Sequence, residues 1–172
     1  VRFRQTESPC MRIGVVSDTH NNLRNVRRIV EIFNDAGVER VIHTGDITQP
    51  KTIEAFSGLS VPLFGVFGNN DQGELHVLEP MIAELGFHFV QPPLPLDWAG
   101  RRIVVVHDPL ELAAIDPNGF DLILHGHTHR QTIEFEASRL TFNPGESAGM
   151  MEGANSIGIV DLVALQPEIL RF

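Results

Sequence analysis

Five short apolar segments of this 172-residue chain each run directly into Asp, His or Asn side chains. The segments are rich in Val, Ile and Leu, which indicates buried strands. Carboxylates, imidazoles and amide oxygens are ligands for divalent transition metals. The residues that follow the five segments are Asp18 and His20, then Asp46, then Asn69, Asn70 and Asp71, then His107, and finally His127 and His129.

The position of these side chains predicts one metal site rather than five separate turns. A single Asp or His at a strand end is more often a turn former. Ligand-binding residues of α/β proteins, however, gather where the carboxyl ends of strands meet. Two metal ions about 3.5–4 Å apart can hold both the attacking and the leaving oxygen of a displacement. Such a pair needs an anionic bridge, and Asp46 is the candidate because Gly45 allows a tight turn before it.

Local spacing predicts how the other ligands converge. One residue separates Asp18 from His20, so an extended backbone would point both side chains to the same side. His127 and His129 have the same spacing, and Gly126 permits a turn before them.

Other polar residues near these segments have more than one interpretation. His43 and His125 lie inside the apolar segments, and a core or supporting role is favoured over direct metal ligation. His76 and His88 are expected at the surface. Asp71 could cap the following helix or orient Asn70 and the metal ligands, and the sequence favours neither.

The first half of the chain alternates strands and helices, which is typical of a parallel sheet with crossover helices. A helix capped by Asn21 or Asn22 is expected to end at Gly37, and another is expected to end at Gly86. The expected order is strand 13–17, the first helix, strand 40–44, helix 51–57, strand 62–67 and helix 74–85.

The second half is predicted to be rich in β-structure, with only 109–116 helical. Hairpin turns are expected near Ala99-Gly100 and Ala137-Ser138. Two packed sheets with helices outside them follow from these two halves. The expected strands are 87–90, 94–98, 101–106, 121–124, 131–136, 139–143, 156–162 and 166–171.

Composition narrows the range of partners. The chain has 13 Lys and Arg against 22 Asp and Glu, a formal charge of −9, which argues against long nucleic acid as a partner. Its apolar segments are too short to cross a bilayer, so no membrane is expected.

The single cysteine, Cys10, excludes an intrachain disulfide and favours a cytoplasmic location. Residues 1–10 are interpreted as an extension before Met11, and 11–172 as one domain.

The ordered motifs resemble those of the calcineurin-like metallophosphoesterases across residues 11–145. Asn143-Pro144-Gly145 and the small size resemble the compact bacterial and archaeal phosphodiesterases of that superfamily. The resemblance implies an α/β fold: a four-layer α/β/β/α sandwich of two mixed sheets flanked by helices. The matching motifs are Asp18-Thr19-His20, Gly45-Asp46, Gly68-Asn69-Asn70-Asp71, His107 and Gly126-His127-Thr128-His129.

The same resemblance implies two divalent ions, with Mn²⁺ favoured and Ni²⁺, Fe, Co²⁺ or Zn²⁺ as alternatives. Asp46 would bridge them. A hydroxide held between the ions would attack phosphorus in line. One ion would be held by Asp18, His20, Asp46 and His129, and the other by Asp46, Asn69, His107 and His127. The residues expected to take part in catalysis are Asn69, Asn70, Asp71 and His107.

Two positions depart from the family pattern. Many members carry a histidine, which can protonate the leaving oxygen, where this chain has Asn70. An amide cannot donate that proton, so Asn70 is expected to orient, and the substrate to have a good leaving group. Asp108 stands where a glycine is usual, and it adds charge and bulk beside His107.

The predicted function is that of a cytoplasmic, dinuclear-metal phosphodiesterase acting on a small phosphodiester or phosphate ester. A phosphomonoesterase or nucleotide pyrophosphatase with the same metal site is an alternative. A non-catalytic scaffold on the same fold is another, although such relatives typically have incomplete ligand sets. The sequence leaves open whether the chain forms a homo-oligomer.

Overall fold

A computed structural model describes residues 10–172. Apart from the exposed Cys10, the predicted N-terminal extension lies outside this range. The described residues form three α-helices: α1 (Leu23–Ala36), α2 (Pro50–Ala55) and α3 (Leu75–Glu84). Their strands are β1 (Arg12–Val16), β2 (Arg40–His43), β3 (Leu63–Val66), β4 (His88–Val90), β5 (Leu94–Trp98), β6 (Arg101–Val105), β7 (Leu122–Leu124), β8 (Thr132–Glu136), β9 (Arg139–Asn143), β10 (Ser156–Asp161) and β11 (Gln166–Arg171).

The first sheet has the order β11-β10-β1-β2-β3-β4. Strands β1 to β4 are parallel, with Val15 beside Ile42, Ile42 beside Phe64 and Phe64 beside His88. Strands β10 and β11 add antiparallel pairs beside β1. The three crossover helices follow β1, β2 and β3, as the alternating pattern predicted.

The second sheet has the order β5-β6-β7-β9-β8, in which β6, β7 and β9 are parallel. Both predicted hairpins are present. Ala99 and Gly100 turn between β5 and β6, and Ala137 turns between β8 and β9, all with positive φ. This backbone conformation matches the twist of paired strands in a tight hairpin.

The core lies in two apolar layers. One layer joins the two sheets and includes Ile13 and Ile42 from the first sheet and Val105 and Phe142 from the second. The other lies between the first sheet and the helices, with Phe33 of α1 fully buried. The predicted architecture of two mixed sheets flanked by helices is confirmed.

The outer layer of the second sheet differs from the prediction. Residues 109–116 do not form an α-helix: a 3₁₀ helix spans Pro109–Ala114, and a second one spans Pro117–Gly119. Pro117 disfavours helical backbone at Asp116, so the first segment ends before it, and each segment closes only about one or two turns. Leu112, Ile115 and Phe120 still cover the outer face of β6 and β7.

Helix α1 has the terminal residues that the sequence predicted to cap it. The side chain of Asn22 accepts a 3.1 Å hydrogen bond from the backbone N–H of Asn25, which caps α1. Gly37, with φ of 65°, ends it in the left-handed conformation. Between these caps the helix buries Val26, Ile29, Val30 and Phe33.

None of the helices within residues 10–172 combines the length and the apolar character that crossing a membrane requires.

Candidate metal centre

The carboxyl ends of five strands meet at one end of the two sheets. Strands β1, β2 and β3 of the first sheet and β6 and β7 of the second all run toward this end. The chain segments that follow them bring every predicted ligand into one cluster. These ligands are Asp18, His20, Asp46, Asn69, His107, His127 and His129.

Asp18, His20 and His129 form the first half of the cluster. One ligand atom from each lies within 4.8 Å of the other two. His129 Nε2 is 3.3 Å from Asp18 Oδ1, and His20 Nε2 is 3.7 Å from Oδ2 of Asp46.

Asn69, His107 and His127 form the second half. The Oδ1 atom of Asn69 is 3.0 Å from His107 Nε2 and 3.1 Å from His127 Nδ1. His107 Nε2 is also 3.5 Å from Oδ1 of Asp46. Asp46 therefore directs one carboxylate oxygen toward each half, which is the geometry that a bridging carboxylate requires.

The spacing and the hydrogen bonding of this cluster fit a metal ion. Two atoms that each lie about 2.1 Å from one ion are roughly 3–3.5 Å apart, close to the separations seen here. Asp18 Oδ1 and His20 Nε2 are buried and have no hydrogen-bond partner within the described residues. Buried polar atoms are rarely left unpaired, so a cation is a natural partner for both.

The backbone is strained at five of the seven predicted ligands. Asp18, His20, Asp46, His127 and His129 all have positive φ, between 45° and 65°. The prediction that Asp18 and His20 share a side through an extended backbone is therefore wrong. Left-handed turns aim these side chains inward, and strain of this kind typically costs about 1–3 kcal/mol per residue and concentrates at functional sites.

Close packing of the turns depends on Gly126. A Cβ atom there would overlap the Ser17 hydroxyl and crowd Asp18 Oδ2 and the Thr44 hydroxyl, at 2.8 Å from each. The glycine thus lets the turn after β7 approach the turn after β1. As a result, His127 and His129, which follow a strand of the second sheet, lie beside the predicted ligands that follow strands of the first sheet.

His107 is held in one orientation. Its Nδ1–H donates to the carbonyl of Thr44 at 2.8 Å, which leaves Nε2 facing Asp46 and Asn69. Burial lowers the pKa of His107, but hydrogen bonding to Asp46 and its negative charge outweigh burial and raise the pKa to about 9. Burial raises the pKa of Asp46. Hydrogen bonding to His107, the positive charge of His107 and the hydrogen bonds from Asn70 outweigh burial and lower that pKa.

Asp71 lies behind the cluster and is fully buried. Its carboxylate accepts hydrogen bonds from the backbone N–H groups of Asp46, Ile47, Thr48 and Gly68, at 2.6 to 2.9 Å. Burial raises the pKa of Asp71, and these hydrogen bonds oppose that rise. Capping and orientation were the two roles expected for Asp71. Its contact with Gly68 caps the 3₁₀ helix Asn69–Glu74, and its other contacts hold the turn that carries Asp46, a predicted ligand.

Asn70 contacts the cluster through Asp46. Its backbone N–H donates to Oδ1 of Asp46 at 3.0 Å, and its side-chain amide donates to Oδ2 at 2.7 Å. Asp108 accepts a 2.9 Å hydrogen bond from Leu110 N–H with one oxygen, and its other oxygen is 3.6 Å from His127 Nε2.

The remaining histidines follow their predictions. His43 is fully buried: it accepts a 3.0 Å hydrogen bond from Gly45 N–H at Nδ1, so its Nε2–H donates to Thr19 Oγ1 at 2.9 Å. Burial lowers the pKa of His43 to about 3. Burial also lowers the pKa of His125. His76 and His88 are exposed.

Two supporting residues were missed in the sequence. Ser17 donates a hydrogen bond to Asp18 Oδ2, and Thr44 Oγ1 donates to Ser17 Oγ at 2.6 Å. Both hydroxyls are fully buried beneath the ligands. Their position in the sequence could have indicated this role, since each directly follows an apolar strand and comes just before the turn that carries an Asp.

A cleft of about 600 Å³ opens beside the cluster. His20 and Asn70 line it on the side of the ligands, and Thr48, Lys51 and Glu74 line it further out. The cleft leaves open space beside the predicted ligands.

Comparisons with known proteins find a family profile, sequences and structures similar to this chain. A family profile described as the calcineurin-like phosphoesterase superfamily domain matches residues 11–164. Phosphodiesterase MJ0936 of Methanocaldococcus jannaschii is 35% identical over 156 residues, which cover 88% of this chain and 93% of that protein. Phosphodiesterase YfcE of Escherichia coli is 25% identical, with 88% of each chain covered. The structure of an archaeal phosphodiesterase superposes with a TM-score of 0.83 at 30% identity, covering 94% of this chain and 100% of that one.

Proposed function

This chain belongs to the calcineurin-like phosphoesterase superfamily, and we propose that it is a metal-dependent phosphodiesterase. The relatives named as phosphodiesterases support this assignment. The observation that carries it is the convergence of seven donor side chains from five strand ends, with Asp18 Oδ1 and His20 Nε2 buried and without a hydrogen-bond partner among residues 10–172. A degraded site of a scaffold protein would not keep this set.

We propose that the cluster holds two divalent ions. Asp18, His20, Asp46 and His129 would hold one ion, and Asp46, Asn69, His107 and His127 would hold the other. Mn²⁺ is our favoured ion, and Ni²⁺, Fe, Co²⁺ and Zn²⁺ suit the same mixture of nitrogen and oxygen ligands. When bound, such ions supply Lewis acidity, which acidifies water and neutralises negative charge on phosphoryl oxygens.

The chain itself contributes orientation. The Oδ1 atom of Asn69 faces His107 and His127, so its amide NH₂ is free to donate to a phosphoryl oxygen. Asn70 holds both oxygens of Asp46 and has no acidic proton to give to a leaving group. We therefore propose a small phosphodiester whose leaving group departs without protonation, such as an aryl or otherwise activated ester.

We propose a cytoplasmic location for the enzyme. With Cys10 as its single cysteine, the chain needs no oxidising compartment, which supports a cytoplasmic location.

The test is hydrolysis of bis(p-nitrophenyl) phosphate by metal-free protein supplied in turn with Mn²⁺, Ni²⁺, Co²⁺ or Zn²⁺. We expect activity to return with metal and to be lost in Asp46→Asn and His127→Ala. His76→Ala and Asp97→Asn, at exposed positions, serve as matched controls and should keep it. p-Nitrophenyl phosphate, run beside the diester, separates a phosphodiesterase from a phosphomonoesterase.

Two results would contradict the proposal. Faster hydrolysis of the monoester than of the diester would favour a phosphomonoesterase. Binding of two ions per chain without turnover of either substrate would favour a scaffold on this fold.

A further inference from the structure

We propose that a basic surface leading away from the metal centre binds the flanking phosphates of a short single-stranded oligonucleotide. This inference rests on the proposed function, because the phosphodiester to be cleaved would lie over the metal ligands. The surface, called the basic track below, consists of Lys51, Arg27, Arg24, Arg28 and Arg171.

The track is continuous because neighbouring clefts share lining residues. Lys51 lines the cleft that contains His20 and Asn70, and it also lines a second cleft of about 570 Å³ together with Arg27. Arg27 in turn lines a third cleft, of about 890 Å³, with the other arginines of the track. A chain leaving the ligand cluster therefore meets a cation in each cleft it enters.

Helix α1 presents three of these cations on one exposed face. Arg24, Arg27 and Arg28 have the i, i+3, i+4 spacing that makes side chains neighbours on a helix. Arg28 pairs with Glu31 at 2.9 Å. Within residues 10–172, Arg24, Arg27 and Lys51 have no carboxylate within 4.0 Å, so their charges are available to a ligand.

The clefts along the basic track carry more positive than negative side chains, although the protein as a whole is acidic. The whole chain carries −9, yet the three clefts have five cations against the carboxylates of Glu31, Glu54 and Glu74. A local positive field on an acidic protein attracts an anion to this face and repels it elsewhere.

The third cleft also offers apolar surface. Ile32, Leu170 and Phe172 line it beside the arginines. Proteins that bind single-stranded nucleic acid combine a cationic groove with aromatic side chains on which bases stack. Phe172 and its apolar neighbours are partly buried against the core, and the part of them that lines the cleft is the surface on which a base would stack.

The metal centre and the basic track together indicate the chemical class of the ligand. A ligand that places a phosphodiester at the metal centre and further anionic groups along the track needs repeated phosphates, and an oligonucleotide repeats the cleavable bond itself. A long duplex remains disfavoured, because the rest of the surface is acidic.

The experiment measures binding of a fluorescein-labelled, phosphorothioate-linked hexathymidylate to the Mn²⁺-loaded full chain by anisotropy, at several salt concentrations. The phosphorothioate keeps the charge and resists hydrolysis. The test variant is Arg24→Gln with Arg27→Gln, because Gln has nearly the helix propensity of Arg and should preserve α1. Arg102→Gln, at an exposed arginine on the second sheet, is a control that removes one cation outside the track.

We expect log Kd to rise with log salt in the wild type, with a slope lower by about 0.7 for each cation removed, hence by about 1.4 in the double variant. The control should keep the wild-type slope. Absence of binding by the wild type, or equal affinity and slope in the double variant, would overturn the inference.

Parallel assays with bis(p-nitrophenyl) phosphate, which has no flanking phosphate, separate the two proposals. Hydrolysis of this ester without hexathymidylate binding overturns the basic track alone. Salt-dependent binding without hydrolysis of any ester overturns the phosphodiesterase assignment and leaves an oligonucleotide-binding surface.

Discussion

The buried carboxylate of Asp71 accepts a 2.9 Å hydrogen bond from the backbone N–H of Asp46, 25 residues earlier in the chain. This contact fixes the turn after β2 against the turn after β3. Asp46 has a φ of 62° and faces both halves of the ligand cluster. Asp71 therefore helps to hold the central ligand in a strained conformation without contacting the ligand atoms themselves.

Replacing Asp71 with Asn should lower both stability and metal affinity. One carboxylate oxygen would become an NH₂ group facing backbone N–H donors, which leaves buried donors unpaired at a cost of about 1–3 kcal/mol each. Urea denaturation of the metal-free protein measures the first effect, and calorimetric titration with Mn²⁺ measures the second. Asp97→Asn, at an exposed site, is the control. An unchanged Mn²⁺ affinity would show that Asp71 does not position Asp46.

Asp108 should strengthen metal binding through His127. Its carboxylate is 3.6 Å from Nε2 of His127, whose Nδ1 faces the cluster. Carboxylates in this position orient metal-binding imidazoles, and their loss typically costs about 10–100-fold in affinity or activity. Asp108→Asn keeps a side-chain oxygen for Leu110 N–H but removes the charge. We expect weaker Mn²⁺ binding with little change in melting temperature.

Asp108→Ala separates the two contacts of this residue. It should lose the cap as well, at a cost of about 1 kcal/mol in stability. Wild-type Mn²⁺ affinity in Asp108→Asn would mean that the residue serves only as a cap.

Introducing a general acid at Asn70 should broaden the range of leaving groups. Asn70 lines the cleft beside Asp46 and has no acidic proton, and general acid catalysis contributes about 10²–10⁴-fold. In Asn70→His, kcat/KM for an alkyl phosphodiester should rise relative to that for bis(p-nitrophenyl) phosphate. Asn70→Ala controls for the lost side-chain hydrogen bond to Oδ2 of Asp46. An unchanged ratio in Asn70→His would refute the role given to this position.

Acid should destabilise the protein partly through His43. Its pKa is about 3 in the folded protein and near 6.5 when unfolded, so only the unfolded chain gains this proton between those values. Stability therefore falls as pH drops through this window, by up to about 1.4 kcal/mol per pH unit. In His43→Gln, the unfolding free energy, measured by urea denaturation from pH 7 to 4.5, should fall less steeply. Parallel slopes for the two proteins would contradict the assignment.

Local patterns were sufficient for the elements that carry the site. Alternation and capping predicted α1, because Asn22 and Gly37 satisfy its terminal backbone groups without help from distant residues. The same holds for the strands that precede Asp18, Asp46 and His107, since a run of apolar residues must be buried wherever it lies. The sequence could therefore predict which residue types stand at the strand ends.

Tertiary structure decided how those residues meet. The left-handed backbone at Asp18 and His20 carries no local signal, since it is maintained by contacts with the turns that follow other strands. The hydrogen bonds of Asp71 join segments 25 residues apart, and the basic track joins α1 and α2 to the strand that contains Arg171. Such contacts depend on which distant segments the packed sheets bring together, and for that reason only the folded chain defines them.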